Sequence, residues 1–422
     1  MSAPLKFVLV LAWAGLASLG SAEVPAPAFT GTLTVREVYD DNVFLQDKAP
    51  LAAGQTIVAL PADADAFITT IGVNLAVAWK RSPSLQLDAS YTPEIFRFSR
   101  YQSENHTDHR FAASVSGTSG AWRYDAKAGW LSTVGSHEST VFNRLGGSPP
   151  VGSEPVRARR AQDIAKASAR VTRDFAPGFI RCVFSSMDQD FHTAERSTFG
   201  RANYVDRGEL SAGLDLGWKF GPTWSAVAGV RQGRQHQANL LGVPLNYTNT
   251  LTRWLVGMEG KLNPTSKFSV LAGPDERRFG PWVRPEFERQ QTSTYLEAAA
   301  NWSATKSDLL TLSGKRYLWV SSGARGAYVD ALFDVTWKHS FGHAWTLSTG
   351  LNRHTAVTSR FNPTAPRDDR IDAVTLALAH AFDAKTEVEF GVAQDRSVSG
   401  VPNTPGREYH RRICTLSGVR RW

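Results

Sequence analysis

Residues 67–79 read Phe67-Ile68-Thr69-Thr70-Ile71-Gly72-Val73-Asn74-Leu75-Ala76-Val77-Ala78-Trp79. Every odd position but Thr69 is large and apolar, and most even positions are small or polar. Successive side chains of a strand point to opposite faces, so the odd set forms a greasy wall and the even set a wet one. The stretch 204–220 repeats the pattern, with Leu210, Ala212, Leu214, Leu216, Trp218 and Phe220 alternating with Glu209, Ser211, Asp215 and Lys219. From residue 65 to the last residue the chain is a succession of such runs, each roughly 10 to 17 residues long. One apolar and one wet face repeated around a whole chain is the pattern of a transmembrane β-barrel.

Counting runs and the breakers between them predicts strands over 31–42, 65–79, 85–101, 107–118, 121–135 and 161–173. It predicts six more over 179–191, 203–220, 223–236, 247–262, 267–277 and 292–303. The last six fall at 308–321, 326–339, 344–357, 370–382, 386–397 and 407–422. The expected fold is therefore all-β, a transmembrane antiparallel up-and-down barrel of about 18 strands, within a range of roughly 16–20. Connections with turn chemistry, such as Phe175-Ala176-Pro177-Gly178, Asn263-Pro264-Thr265-Ser266 and Asp383-Ala384-Lys385-Thr386, alternate with longer ones at 43–64, 136–160, 192–202, 237–246, 278–291, 358–369 and 398–406. Short inner turns alternating with long outer loops is the outer-membrane layout, whereas a soluble sandwich or propeller has no reason to sort loops by parity.

Residues 1–22 read as a cleaved signal peptide: Lys6 is followed by an apolar core, Phe7 to Leu19, and by Gly20-Ser21-Ala22 at the cleavage site. Residues 23–422 are then one barrel domain, since no linker or composition shift divides them. The remaining chain has no apolar run long enough for a membrane helix. That leaves an integral location in a bacterial, Gram-negative outer membrane as the expectation. The formal charge of +8 is not read as nucleic-acid binding in an exported, strand-alternating chain. Arg157 to Arg160, Glu276-Arg277-Arg278 and Arg420-Arg421 are instead placed to meet anionic lipid head groups or plain solvent. Cys182 and Cys414, the two cysteines, fall on distant strands and read as small wall residues rather than a disulfide or metal pair.

Tryptophans support the same layout. Trp79, Trp122, Trp218, Trp224, Trp302, Trp337, Trp345 and Trp422 flank short turns or the C-terminus and form an expected interfacial girdle. Tyr39, Tyr204, Trp319 and Tyr328 are the expected outer girdle. The last strand ends on Trp422, with Gly418, Leu416 and Cys414 at alternate positions and Arg420 interrupting them. A terminal aromatic on such a strand resembles the signal read by the barrel-assembly machinery.

Near the N-terminus stands Val35-Arg36-Glu37-Val38-Tyr39-Asp40-Asp41-Asn42-Val43-Phe44, and the chain resumes with Asp65-Ala66-Phe67-Ile68-Thr69-Thr70-Ile71-Gly72-Val73. This resembles a β-barrel porin family whose first strand ends in Tyr-Asp-Asn-Val/Ile-Phe and which includes barrels encoded with exopolysaccharide export machinery. Asn301-Trp302-Ser303-Ala304-Thr305-Lys306-Ser307 resembles its strand–turn–strand repeats. The resemblance implies an outer-membrane barrel with a transport role, and it supplies no catalytic residues.

Asp40, Asp41 and Asn42, with Asp63 and Asp65 opposite, suggest a weak calcium site at the outer rim or simply a solvated strand end. His106 and His109 have a metal-like spacing only if helical. No nucleophile elbow, phosphate loop or zinc motif is present, so neither catalysis nor a cofactor is expected. The charges sit on the wet face. Arg110, Arg123, Lys127, Lys166, Arg170, Arg207, Lys219, Arg231, Arg253, Lys261 and Lys338 are expected to line the lumen. Asp88, Asp125, Glu209, Asp215, Glu259, Glu297, Asp330, Asp334 and Glu389 join them. An opposite register would place Lys or Arg in lipid at about 2–4 kcal/mol each.

The expected function is a porin-like channel for passive or facilitated diffusion of small hydrophilic solutes, narrowed by the 136–160 loop. The alternatives are an accessory barrel for exopolysaccharide export and a closed structural or adhesive barrel. The implied partners are outer-membrane lipid and lipopolysaccharide, the barrel-assembly machinery, and small solutes or polysaccharide.

Overall fold

The computed structural model describes residues 25–43, 65–134, 161–192, 205–239, 244–321, 326–342, 344–358, 368–399 and 409–422. Within them the alternating runs become eighteen strands. The first six are β1 (Ala28–Asp40), β2 (Ala66–Ser82), β3 (Leu85–Phe98), β4 (His106–Ser119), β5 (Trp122–Val134) and β6 (Ala161–Phe175). Then come β7 (Gly178–Phe191), β8 (Arg207–Lys219), β9 (Trp224–Gln237), β10 (Asn249–Asn263), β11 (Ser266–Phe279) and β12 (Gln290–Trp302). The last are β13 (Asp308–Val320), β14 (Ala327–Phe341), β15 (Trp345–Val357), β16 (Asp368–Ala381), β17 (Thr386–Ser399) and β18 (Tyr409–Arg421). Every bound lies within four residues of its expected position.

Each strand pairs antiparallel with the next, and β1 pairs with both β2 and β18, so the sheet closes. Closure removes the sheet edges that would otherwise present unpaired N–H and C=O groups to lipid. The exposed side chains on one face are apolar: Phe67, Ile71 and Leu75 on β2, Leu214 and Leu216 on β8, Val256 on β10, Leu376 on β16, Phe390 on β17. Directly paired residues share a face, so the register carries this belt around the wall. A contiguous apolar exterior over a charged interior belongs to an integral outer-membrane barrel. Among the described residues no helix is long and apolar enough to cross a membrane; the strands do the crossing. Placing a charge on the belt tests the register: Leu214→Arg should cost about 2–4 kcal/mol of unfolding free energy, read as a lower urea midpoint in lipid vesicles. A neutral result would mean that Leu214 does not face lipid.

Short turns gather at one end. At 382–385, Asp383 accepts from the backbone N–H of Lys385 at 2.6 Å and of Thr386 at 2.7 Å. The Lys385 amide is the main reason its carboxyl is held below the usual range. The outward Arg420 sits 3.5 Å from the same carboxylate, so the residue that interrupts the last apolar row is anchored to a turn. All eight tryptophans of the expected girdle lie at this end on outward positions of their strands. Cys182 and Cys414 are unpaired and exposed on the outer face.

The first-strand block does something other than hold calcium. Asp40 is fully buried on the inner face of β1 and accepts from Arg411 Nε of β18 at 3.0 Å. Asp41 accepts the backbone N–H of Arg412 at 2.6 Å, and Asn42 Nδ2 donates to the carbonyl of His410 at 2.9 Å. Val38 and Val43 pack with Ala66, Ile68, Phe98 and Ile413. Three consecutive polar residues thus stitch the first strand to the last. Asp40 is engaged by Arg411 and the Asn42 backbone and Asp41 by the Arg412 backbone, and among the described residues no group of three or more metal-ligating side chains forms here. Asp65 pairs with Arg100 at 2.6 Å; Asp63 lies outside the described residues. His106 and His109 also part company, since positions three apart in a strand face opposite sides. His106 stacks on Phe96 within the wall and His109 meets the Tyr91 hydroxyl outside.

Candidate functional site

The lumen is shaped by one departure from regular pairing. β11 and β12 stay paired up to Arg278 opposite Gln290. β12 and β13 separate above Leu296 opposite Arg316, whereas β13 and β14 remain paired to Val320 opposite Ala327. The top of the β13–β14 hairpin therefore leaves the wall and folds into the barrel. Its tip is tied by the Ser321 N–H to the Gly326 carbonyl at 2.9 Å. Gly326 has φ +143°, a backbone region that favours glycine.

Separation orphans the carbonyls on the side that β12 vacated, and buried carbonyls must be satisfied. Donors from β8, β9 and β11, the arc of wall beyond β12, do this. Arg207 Nη1 of β8 donates to the Val320 carbonyl at 2.6 Å, and Arg277 Nη2 of β11 to the Leu318 carbonyl at 3.2 Å. Gln237 Nε2 of β9 donates to the Ser321 carbonyl at 2.5 Å. One face of the hairpin, Leu318, Val320, Ala327 and Val329, packs under Tyr247, Phe279 and Phe287. The other face, Trp319 and Tyr328, packs on Ala356 of β15 and Ile371 of β16, the strands that follow β14 in the wall, and reaches Met187 of β7. Arg207 also lies over the Trp319 ring at 5.4 Å.

These donors are themselves held. Arg277 is bidentate to Asp275 at 2.9 and 2.8 Å; Arg253 reaches Asp275 at 3.1 Å and Glu209 at 3.2 Å. Arg207 Nε donates to Gln189, which donates to Gln162. Lower in the lumen Arg181 joins Asp215 and Glu259, each at 2.8 Å, and Arg231 joins Asp215 at 2.6 Å. Asp330 accepts from the Tyr317 hydroxyl at 2.8 Å and bonds His354. Cross-strand bridging fixes these side chains in place, as a lumen wall requires if its shape is to discriminate between solutes.

Beneath the hairpin lies a cavity of about 820 Å³. The wall from β5 to β13 gives it Lys127, Lys166, Arg207, Arg253 and Lys315 against Glu209 and Glu297. The facing wall of β14 and β15 gives Asp330, Asp334 and Asn352. Five cations thus outnumber two carboxylates on the first wall, and the second carries carboxylates alone among its charges.

Register places every charge expected in the lumen on the inner face. Asp125 is opposite Arg170, Arg253 opposite Arg231, and Glu297 opposite Lys315. Arg110, Arg123, Lys219, Lys261, Lys338, Asp88 and Glu389 are inner by the same alternation, towards or beyond the ends of this cavity. Arg181, Asp275, Lys315 and Arg411 were missed, although each alternates with its strand's apolar row. The Glu276-Arg277-Arg278 cluster divides: Arg277 is 1% exposed inside the barrel, and its neighbours face out, because adjacent strand residues take opposite sides. Arg421 likewise faces in, towards Glu387 at 3.1 Å. Trp319 and Tyr328 do not belong to an outer girdle; inward folding buries both in the lumen. Tyr39 does face out, its ring centroid 5.2 Å from that of Phe67. Tyr204, Arg157 to Arg160 and the 136–160 loop lie outside the described residues.

No family model matches the chain, and no curated protein matches it in sequence. The likeness in Tyr39–Phe44 therefore remains a likeness of that block. Among solved structures the chain is similar to the outer membrane protein OpdK of Pseudomonas aeruginosa with vanillate, at 11% identity and TM-score 0.45, covering 93% of this chain and 99% of that one. It is similar to OpdQ of the same bacterium at 10% identity and TM-score 0.42, covering 94% and 98%. It is also similar to an anion-selective porin from Comamonas acidovorans at 10% identity and TM-score 0.39, covering 94% and 99%.

Proposed function

We propose that the barrel passes small hydrophilic solutes through its lumen by passive or facilitated diffusion, and that the inward β13–β14 hairpin sets the size limit. The observation that carries this is the polar cavity beneath the hairpin, whose charged lining includes Arg253 paired with Glu209 and Asp330 bonded to His354. An 18-stranded barrel is wide enough for an aqueous channel unless something folds into it. Here the hairpin supplies a narrowing; the 136–160 loop, expected to do so, lies outside the described residues. The chemistry is electrostatic lining and size selection, with no bond made or broken. The eight outward tryptophans at the short-turn end would seat that rim in the membrane interface.

Single-channel recording under a KCl gradient tests the reading. Discrete conductance steps are expected, with a reversal potential favouring chloride. Lys127→Glu with Lys315→Glu reverses two of the cavity's cations and should move the reversal potential towards potassium selectivity. An unchanged reversal potential would remove these lysines from the ion path. A folded barrel without conductance would instead favour the closed structural reading, since the hairpin is held from both sides. The exopolysaccharide alternative gains nothing from the lumen aromatics: Trp319 and Tyr328 are 6% and 1% exposed, spent on packing rather than offered to sugar rings.

A further inference from the structure

The outer surface carries a charge pattern that neither the channel nor the wall requires. At the long-loop end of β15–β18 the apolar belt ends in Leu351, Val374, Val392 and Leu416, all exposed. Immediately above it on the same outward face come Arg353, Arg370, Asp372, Arg396, His410 and Arg412. Arg353 is opposite Asp372, Asp372 opposite Arg396, and Arg396 opposite His410, so these four form one row across four strands. Arg353 and Arg370 share Asp372, at 2.6 and 2.9 Å. Among the described residues Arg396 and Arg412 have no carboxylate within ion-pair distance. Elsewhere the outward rim is mixed or acidic, as at Asp163, Asp188 and Asp190 on β6 and β7.

We infer that this arc is a docking site for a lipid of the outer leaflet bearing more than one phosphate, with its phosphates on the arginines and its acyl chains along the apolar rows below. Two features select that occupant. Four guanidiniums outnumber the carboxylates of this arc, which are Asp372, Asp368 on the same face of β16 and Asp41 beside Arg412, and they complement phosphate, which arginine binds through paired N–H groups. The site is also continuous with the lipid-facing belt, so an amphiphile spans both halves and a soluble anion uses one. Strands lie about 4.8 Å apart, which separates Arg353 and Arg396 by about 10 Å, a spacing for two phosphates rather than one. The inference does not depend on whether the lumen conducts.

The test is binding of diphosphorylated lipid A to the delipidated barrel in detergent, followed by native mass spectrometry. Wild type should bind it in preference to phosphatidylcholine, and rising salt should weaken binding. Arg396→Ala with Arg412→Ala should weaken it about tenfold or more, from the loss of charge-assisted hydrogen bonds. Arg97→Ala with Arg234→Ala, which removes outward arginines from other arcs, should leave it unchanged. Heat-modifiable migration in gels confirms that both double variants are folded. Equal binding by the Arg396/Arg412 variant and wild type overturns the site. So does equal weakening by the Arg97/Arg234 pair, or displacement of the lipid by millimolar inorganic phosphate.

Discussion

Excising residues 318–329 and joining Tyr317 to Asp330 through an Asn-Gly turn should raise single-channel conductance about threefold or more, because an 18-stranded barrel without an inward element is an open aqueous pore. Tyr317 and Asp330 are directly opposed, so a two-residue turn suits the junction. The excision also strips cover from Tyr247, Phe279 and Phe287, and stability should fall. Arg207→Met is the gentler companion. It leaves the buried Val320 carbonyl without its donor, at about 1–3 kcal/mol, and should convert steady current into flickering between two levels. If the excised barrel folds and conducts as wild type does, the hairpin does not limit the pore.

Asp40→Ala should be the most damaging single substitution in the wall. It takes one of the two buried carboxylates from the guanidinium of Arg411, 4% exposed, leaving Asp395 opposite it, and breaking a buried ion pair from one side costs up to about 3–5 kcal/mol. The loss would appear as a lower temperature for the shift from folded to unfolded mobility in gels. Removing the whole group, as Asp40→Ala with Asp395→Asn and Arg411→Met, should recover most of it, since an apolar replacement for a complete buried ion cluster is often close to neutral. A triple variant as unstable as the single would mean that the carboxylate acts through Asn42, whose backbone N–H it accepts at 2.9 Å, rather than through Arg411.

Strand number, strand bounds and facing were legible in the sequence because a half-buried wall writes itself with period two. Lys and Arg at alternate positions removed the remaining freedom of register. The hairpin was not legible. Residues 317–320 and 327–330 alternate as any wall strand would, and what turns them inward is the ending of the β12–β13 ladder, an event between segments. A hint existed: the connection after Val320 is among the shortest at the end of the barrel where loops run long. The Tyr-Asp-Asp-Asn block was legible as unusual, but its partners lie on the last strand, and oxygen-rich residues without partners read as a cation site. Arg277 was misassigned for a simpler reason, since a run of adjacent charges was treated as one patch and a strand divides such a run between its faces.

The seam between β1 and β18 also bears on how the molecule is made. Asp40 and Arg411 are 371 positions apart, whereas nearly every other strand pair joins immediate neighbours. Hairpins can zip one after another with little loss of chain entropy, and topology of that local kind forms fast. The seam is different: it gains nothing until seventeen other pairings have brought its two halves within reach. Until then β1 and β18 each carry an unsatisfied edge, the state most open to pairing with a foreign strand. Asp40 therefore contributes late, to the lifetime of the finished barrel and hardly at all to the speed of reaching it. Its removal should accelerate opening while leaving the early folding steps untouched.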